Sequence, residues 1–223
     1  MSSQATVALR ASRFSVVSDP PSVRPHLWPV GDSRLQSVGA GPQTASLLEG
    51  IEVTDPEVGR FVAQIREFLR STEWPADRTT RPGHLTASAF VLSHDGEEFV
   101  LLFHRKLQIW VEPGGHADGD GNLAAVALRE ATEETGIAGL SVDPTPLDVD
   151  IHEVRPPAED PHLHFDVRFM VLAPASAELR GNVESESLRW VSWDELDGYE
   201  PDPGLTRLSA LARSRYRATQ SPS

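Results

Sequence analysis

The chain has 223 residues, with 20 Lys plus Arg against 33 Asp plus Glu, a formal net charge of −13, and no cysteine. That length suits one domain with extensions, and the lack of thiols excludes disulfides, a cysteine nucleophile, Cys-ligated zinc and iron–sulfur clusters. So acidic a body repels nucleic-acid backbones and anionic membranes but welcomes divalent cations, and no apolar run reaches the roughly 18–20 residues that span a bilayer.

Residues 1–50 are rich in Ser, Ala, Pro and Gly, and their charges nearly cancel. They are expected to be a flexible or loosely docked arm. Residues 51–83 read as an amphipathic helix and a linker. The helix covers 54–72: Thr54 or Asp55 can cap it, Pro56 suits its first turn, and Val58, Phe61, Val62, Ile65, Phe68 and Leu69 follow helical spacing. Residues 75–83 are the linker. Leu85–Leu92 and Glu98–Phe103 then read as a hairpin about the His94-Asp95-Gly96 turn. Ile109–Val111 is a third short strand, broken by Pro113-Gly114-Gly115.

Asn122–Thr135 is an alanine-rich helix with Gly136 at the C-cap position. Ser141–Val154 holds another strand. In His162–Val171, period-2 alternation puts Leu163, Phe165, Val167, Phe169 and Val171 on one face. His162, His164, Asp166 and Arg168 share the other, which reads as a hydrated sheet face. Leu188–Val191 is a strand, Ser192–Leu196 starts a helix, and Leu205, Leu208 and Leu211 line one side of a helix over 203–217.

The chemistry concentrates in the alanine-rich helix. Glu130, Glu133 and Glu134 stand at i, i+3 and i+4, one helical face, where like charges repel. They also lie late in the helix, where the macrodipole disfavours negative charge. Alone, such a trio is a solvated acidic face. Beside a Pro113-Gly114-Gly115 loop that lets backbone approach a ligand, with Asp118 and Asp120 nearby, it suits a hard divalent cation with oxygen ligands. The Asp118-Gly-Asp120-Gly-Asn122 run begins like a calcium loop. It departs from one at Leu123 and Arg129, where glycine and glutamate are needed.

The stretch Gly115–Ile137 resembles the Nudix box, G-x5-E-x7-R-E-U-x-E-E-x-G-U with U aliphatic. Gly115, Arg129, Glu130, Glu133, Glu134, Gly136 and Ile137 match in type and spacing, Ala131 is a small aliphatic residue, and Gly121 replaces the first glutamate. The resemblance spans roughly His84–Leu196. It implies an α/β fold, the Nudix α/β/α sandwich with a mixed β-sheet, over residues 84–200, followed by a C-terminal helix and tail at 201–223. It implies a cytoplasmic enzyme that uses Mg2+ or Mn2+ to hydrolyse a diphosphate bond in a nucleoside-diphosphate-linked small molecule. Glu130 and Glu134 would be direct metal ligands, with the Gly114 carbonyl as main-chain ligand. Glu133 would be an auxiliary ligand or orient a water, and Arg129 would hold the glutamates in place. The alternative is a catalytically weak or silent Nudix module that binds a nucleotide, which Gly121 favours. If the protein is an enzyme, Asp118 or Asp120 could supply the missing carboxylate.

Further candidates lie outside the box. His104 and Arg105 follow a strand and could contact the diphosphate, as could His116. The His164 and Arg168 face could line the substrate cavity. Two histidines in His-x-His fit a polar strand more often than zinc. The family's general base usually sits on a late loop, which makes Glu184 and Glu186 the candidates.

Overall fold

The computed structural model describes residues 27–51, 53, 55–105, 108–156, 159–180 and 185–220. In chain order the strands are β1 (Trp28–Pro29), β2 (Gly83–Leu92), β3 (Glu98–His104), β4 (Ile109–Val111), β5 (Gly114–His116), β6 (Ser141–Val142), β7 (Asp148–Val154), β8 (His162–Leu172) and β9 (Ser185–Ser192). The α-helices are α1 (Pro42–Leu47), α2 (Pro56–Ser71), α3 (Leu123–Thr135) and α4 (Pro203–Gln220).

The nine strands form one mixed sheet whose main path runs β1-β6-β8-β2-β3-β4. Its centre is the parallel pair β2–β8, in register from Gly83 opposite Leu163 to Leu92 opposite Leu172. β7 and β9 add to β8 and β3 as antiparallel neighbours. β2 and β3 pair at Leu92–Phe99 and then diverge. The wedge between them is filled by one segment: β4 runs along β3, the chain turns at Glu112–Pro113, and β5 returns along β2. Gly114–Gly115, expected as a break, is therefore a strand, because it runs antiparallel in register with Ala87 and Ser88, bonded on either side through Ala89 N to Pro113 O and Ala117 N to Leu85 O.

Alternation along the central strands sorts the core into two layers. Leu85, Ala87, Ala89 and Val91 of β2 and Phe165, Val167, Phe169 and Val171 of β8 pack beneath α2 and α3. Phe90, Leu92, Met170 and Leu172 face the other way, onto Leu205, Leu208, Ala212 and Tyr216 of α4. Helices thus cover both faces, an α/β/α sandwich. Helix α2 presents Val58, Val62, Ile65 and Phe68 inward, and Phe68 stacks on Phe165 at 4.1 Å. Each such fully buried side chain contributes about 1.5–3 kcal/mol. Asp55 caps α2 through Glu57 N, Asn122 caps α3 through Ala125 N, and Gly136 ends α3 at φ 67°.

Three expectations need correction. Of the arm expected to be flexible or loosely docked, residues 1–26 lie outside the described residues, while residues 27–50 are packed: β1 pairs with β6, and Leu48 is buried in the α2–α3 layer. The linker is packed, with Ala76 buried and Pro75 O accepting from Leu85 N. Ser192–Leu196 is a turn leading into a short 3-10 helix at Leu196–Tyr199, not the start of an α-helix.

Candidate active site

Helix α3 lies across β5, and the glycine strand sets how close it comes. A Cβ on Gly115 would stand 2.4 Å from Glu130 Oε2, so with any larger residue this carboxylate would have to shift from its place against the strand. Gly114 N donates to Glu134 Oε2 at 3.0 Å. Arg129 donates from Nη2 to Glu130 Oε1 at 2.8 Å and to the His116 carbonyl at 3.0 Å, tying helix to strand. Burial raises the Glu130 carboxyl above the ordinary glutamate range, against the pull of Arg129. A half-buried carboxylate beside Glu133 and Glu134 calls for positive charge. The donor set is all oxygen, the set that hard divalent cations take.

The loop before α3 explains Gly121. Its amide donates to Val38 O at 2.5 Å, and a Cβ there would lie 2.7 Å from Ala40 Cα and 2.8 Å from Gly39 O. The N-terminal segment docks at this point: Asp120 Oδ1 accepts from Val38 N, and Asn122 Nδ2 donates to the carbonyls of Arg34 and Gln36. The position that holds glutamate in the box is occupied here by another stretch of backbone. Asp120 is engaged in that contact, and Asp118 is paired with Arg78 at 2.6 Å. Residues 30–35 and the outer face of α3 bound a cleft of about 290 Å3 that reaches Arg129 and Glu133. Nothing in the sequence of the arm signalled this wall.

The opposite side of β2, β5 and β8 is polar and buried, not hydrated as expected. The Asp166–Arg168 pair forms at 3.0 Å, with Asp166 2% and Arg168 6% exposed. Arg168 also faces Glu112 at 3.3 Å, Asp150 at 3.4 Å and Asp148 at 3.7 Å. Arg207 from α4 adds a second cation, 3.0 Å from Asp148. Burial raises the Glu112 carboxyl, opposed by Arg168. Arg168, expected to line the substrate cavity, is surrounded here by four carboxylates. Thr86 and Ser88 donate to Asp166 from β2.

At the free end of this face five histidines meet: His84 from β2, His116 from β5, His152 from β7, and His162 and His164 from β8. His116 and His164 thus share one wall, and burial lowers the pKa of both. His104 ends β3 on the other arm of the wedge, with Arg105 in the following turn. Glu186 lies in β9, and Glu184 falls outside the described residues. Glu112, Asp148, Asp150 and His84 were not singled out from the sequence. The signal available was strand register, since the parallel β2–β8 pair sets His84 beside His164.

A carboxylate-bearing helix locked against a glycine strand, under a mixed sheet with helices on both faces, defines an α/β/α sandwich domain. The chain belongs to the Nudix family: the family model for the NUDIX domain matches residues 82–209. Among solved structures it is similar to a C. elegans Ap4A hydrolase binary complex, at 17% identity over 60% of this chain and 98% of that one, with a TM-score of 0.46. It is also similar to RenU, a Nudix hydrolase from M. smegmatis (21% identity, 63% and 88% covered, TM-score 0.44). A third is the MutT protein from Methanosarcina mazei Go1 (23%, 61% and 95%, TM-score 0.41). No curated protein matches the sequence. No helix among the described residues is long and apolar enough to cross a membrane.

Proposed function

We propose that the protein is a Mg2+- or Mn2+-dependent hydrolase of a diphosphate bond in a nucleoside-diphosphate-linked small molecule. The observation that carries this reading is the set of carboxylates held against β5, with Glu130 tied to Arg129 and packed on Gly115 and Glu134 accepting from the Gly114 amide. Glu130 and Glu134 would hold the cation, with the Gly114 carbonyl as main-chain ligand and Glu133 beside them. A bound cation supplies charge against the diphosphate oxygens and lowers the pKa of an attacking water. Arg129 fixes Glu130 in place and anchors the helix to the His116 carbonyl. The Gly114 N–H orients Glu134. His116, His104 and Arg105 would contact the substrate from the two arms of the wedge, and Glu184 or Glu186 would take the proton from water. The water oxygen joins one phosphorus and the bridging oxygen leaves with the other phosphate.

The silent-module alternative drew on Gly121 alone, and the contact with residues 38–40 gives that glycine a packing reason. The deciding experiment is a screen of nucleotide sugars, dinucleotides, coenzymes and nucleoside triphosphates with Mg2+ or Mn2+, followed by product analysis. Hydrolysis of one class that stops with chelator is expected. Nucleotide-induced thermal stabilisation without product across the whole screen would instead establish the binding module; a ligand at about 100 times its dissociation constant adds about 2.7 kcal/mol.

A further inference from the structure

We propose that His84, His162 and His164 form a second metal site, selective for a transition-metal dication of the Zn2+ class, on the face of the sheet opposite the α3 carboxylates. One nitrogen from each ring lies within 4.8 Å of the others. The ring centroids are 4.9, 5.1 and 5.5 Å apart. His84 and His162 are 1% and 3% exposed, on adjacent strands that the parallel register holds rigidly together.

The hydrogen bonding points to a ligand. A buried imidazole ordinarily finds partners for its N–H and its lone pair. Neither nitrogen of His84 nor Nε2 of His164 makes a well-formed hydrogen bond. His162 shows the complementary arrangement. Its Nδ1 lies 2.8 Å from the Asp160 carbonyl, which can only accept, so Nδ1 carries the proton and Nε2 keeps its lone pair. That orientation through an outer carbonyl is the usual state of a metal-ligating histidine. An all-imidazole donor set suits Zn2+, Co2+, Ni2+ or Cu2+ and is a poor match for Mg2+. Three protein ligands leave a fourth position for water, and His116 stands beside it, 5.0 Å from His84 and 5.2 Å from His164 ring to ring.

The test uses the full chain stripped with chelator and titrated with Zn2+ or Co2+ in excess Mg2+, which occupies the carboxylates. One equivalent of Zn2+ should bind, and Co2+ should give the intense visible bands of a tetrahedral nitrogen site. His84→Asn, His162→Asn and His164→Asn should each weaken binding by at least about 100-fold, the upper end of what loss of an outer-shell partner alone costs. The double variant Glu130→Gln/Glu134→Gln should leave it intact, which separates this site from the proposed hydrolytic one. Should a histidine variant fail to fold, the wild-type imidazole NMR signals still decide: stoichiometric Zn2+ must shift those of His84, His162 and His164. A weak octahedral Co2+ spectrum, unshifted imidazole signals, or binding lost in the double glutamine variant would overturn the proposal.

Discussion

The two faces of β2 and β5 carry charge in opposite ways. On the α3 side, Glu130, Glu133 and Glu134 come from one turn of one helix, and Arg129 pairs with Glu130. On the other side, Glu112, Asp148, Asp150 and Asp166 come from four separate segments and converge on Arg168, with Arg207 reaching Asp148 and Asp150 from α4. The first cluster draws its carboxylates from local helical spacing alone. The second is cross-linked by its own arginines, so it fastens strands β7 and β8, the β4–β5 turn and α4 together. One cluster is thus set by the spacing of a single helix, whereas the other exists only because distant segments pack together.

The contrast can be broken by mutation, and the largest effect should fall on the architectural side. Arg168→Met leaves four buried carboxylates without their shared cation and should cost roughly 3–5 kcal/mol in urea unfolding. A wild-type midpoint would show that the cluster is neutral or wet. On the binding side the effect should be on rate. Glu134→Gln should lower turnover by roughly 10²-fold or more while the melting temperature is kept. Near-normal hydrolysis would remove the helix from the mechanism.

A smaller effect should come from Gly121→Glu. This change restores the letter of the family box and should destabilise by roughly 1–3 kcal/mol, because its Cβ has no room beside Ala40. Hydrogen exchange should rise at Val38 and Asn122 if that contact is what the side chain displaces. An unaltered exchange pattern together with faster turnover would return Gly121 to the status of a lost ligand.

The smallest effect concerns pH. The folded pKa of Glu112 is raised by burial. Its contribution to stability is therefore fully present below the ordinary glutamate pKa and is lost as pH rises through the folded value. Glu112→Gln should flatten that part of the stability profile. Two parallel wild-type and mutant profiles would mean that Glu112 ionises alike folded and unfolded.

Legibility divided along the same line as the faces. Helix α3, its cap and its carboxylate face were visible in thirteen consecutive residues, because helical spacing is local. The alternation of β8 was equally plain, and it placed His162, His164, Asp166 and Arg168 on one side correctly. What covers that side was not legible, since Glu112, Asp148 and Arg207 reach it only through strand pairing and the packing of α4. The strand at Gly114–His116 was hidden for the same reason: two glycines read as a break until β2 supplies their partners. Composition misdirected the reading of residues 27–50, where Gly39 and Gly41 suggested looseness but backbone contacts with the loop before α3 hold the segment.

Helix α4 also determines where this protein can be cut. The family match stops at residue 209, midway along a helix that runs to Gln220. A chain ended there would lose Ala212 and Tyr216 from the second core layer, together with the hydrogen bond from the Tyr216 hydroxyl to the His94 carbonyl at the hairpin tip. Phe90, Phe99 and Trp193, which stack beneath that helix, would be partly uncovered and prone to self-association. An affinity tag placed beyond Gln220 spares this seam, whereas boundaries drawn from the family match alone would open the second core layer to solvent.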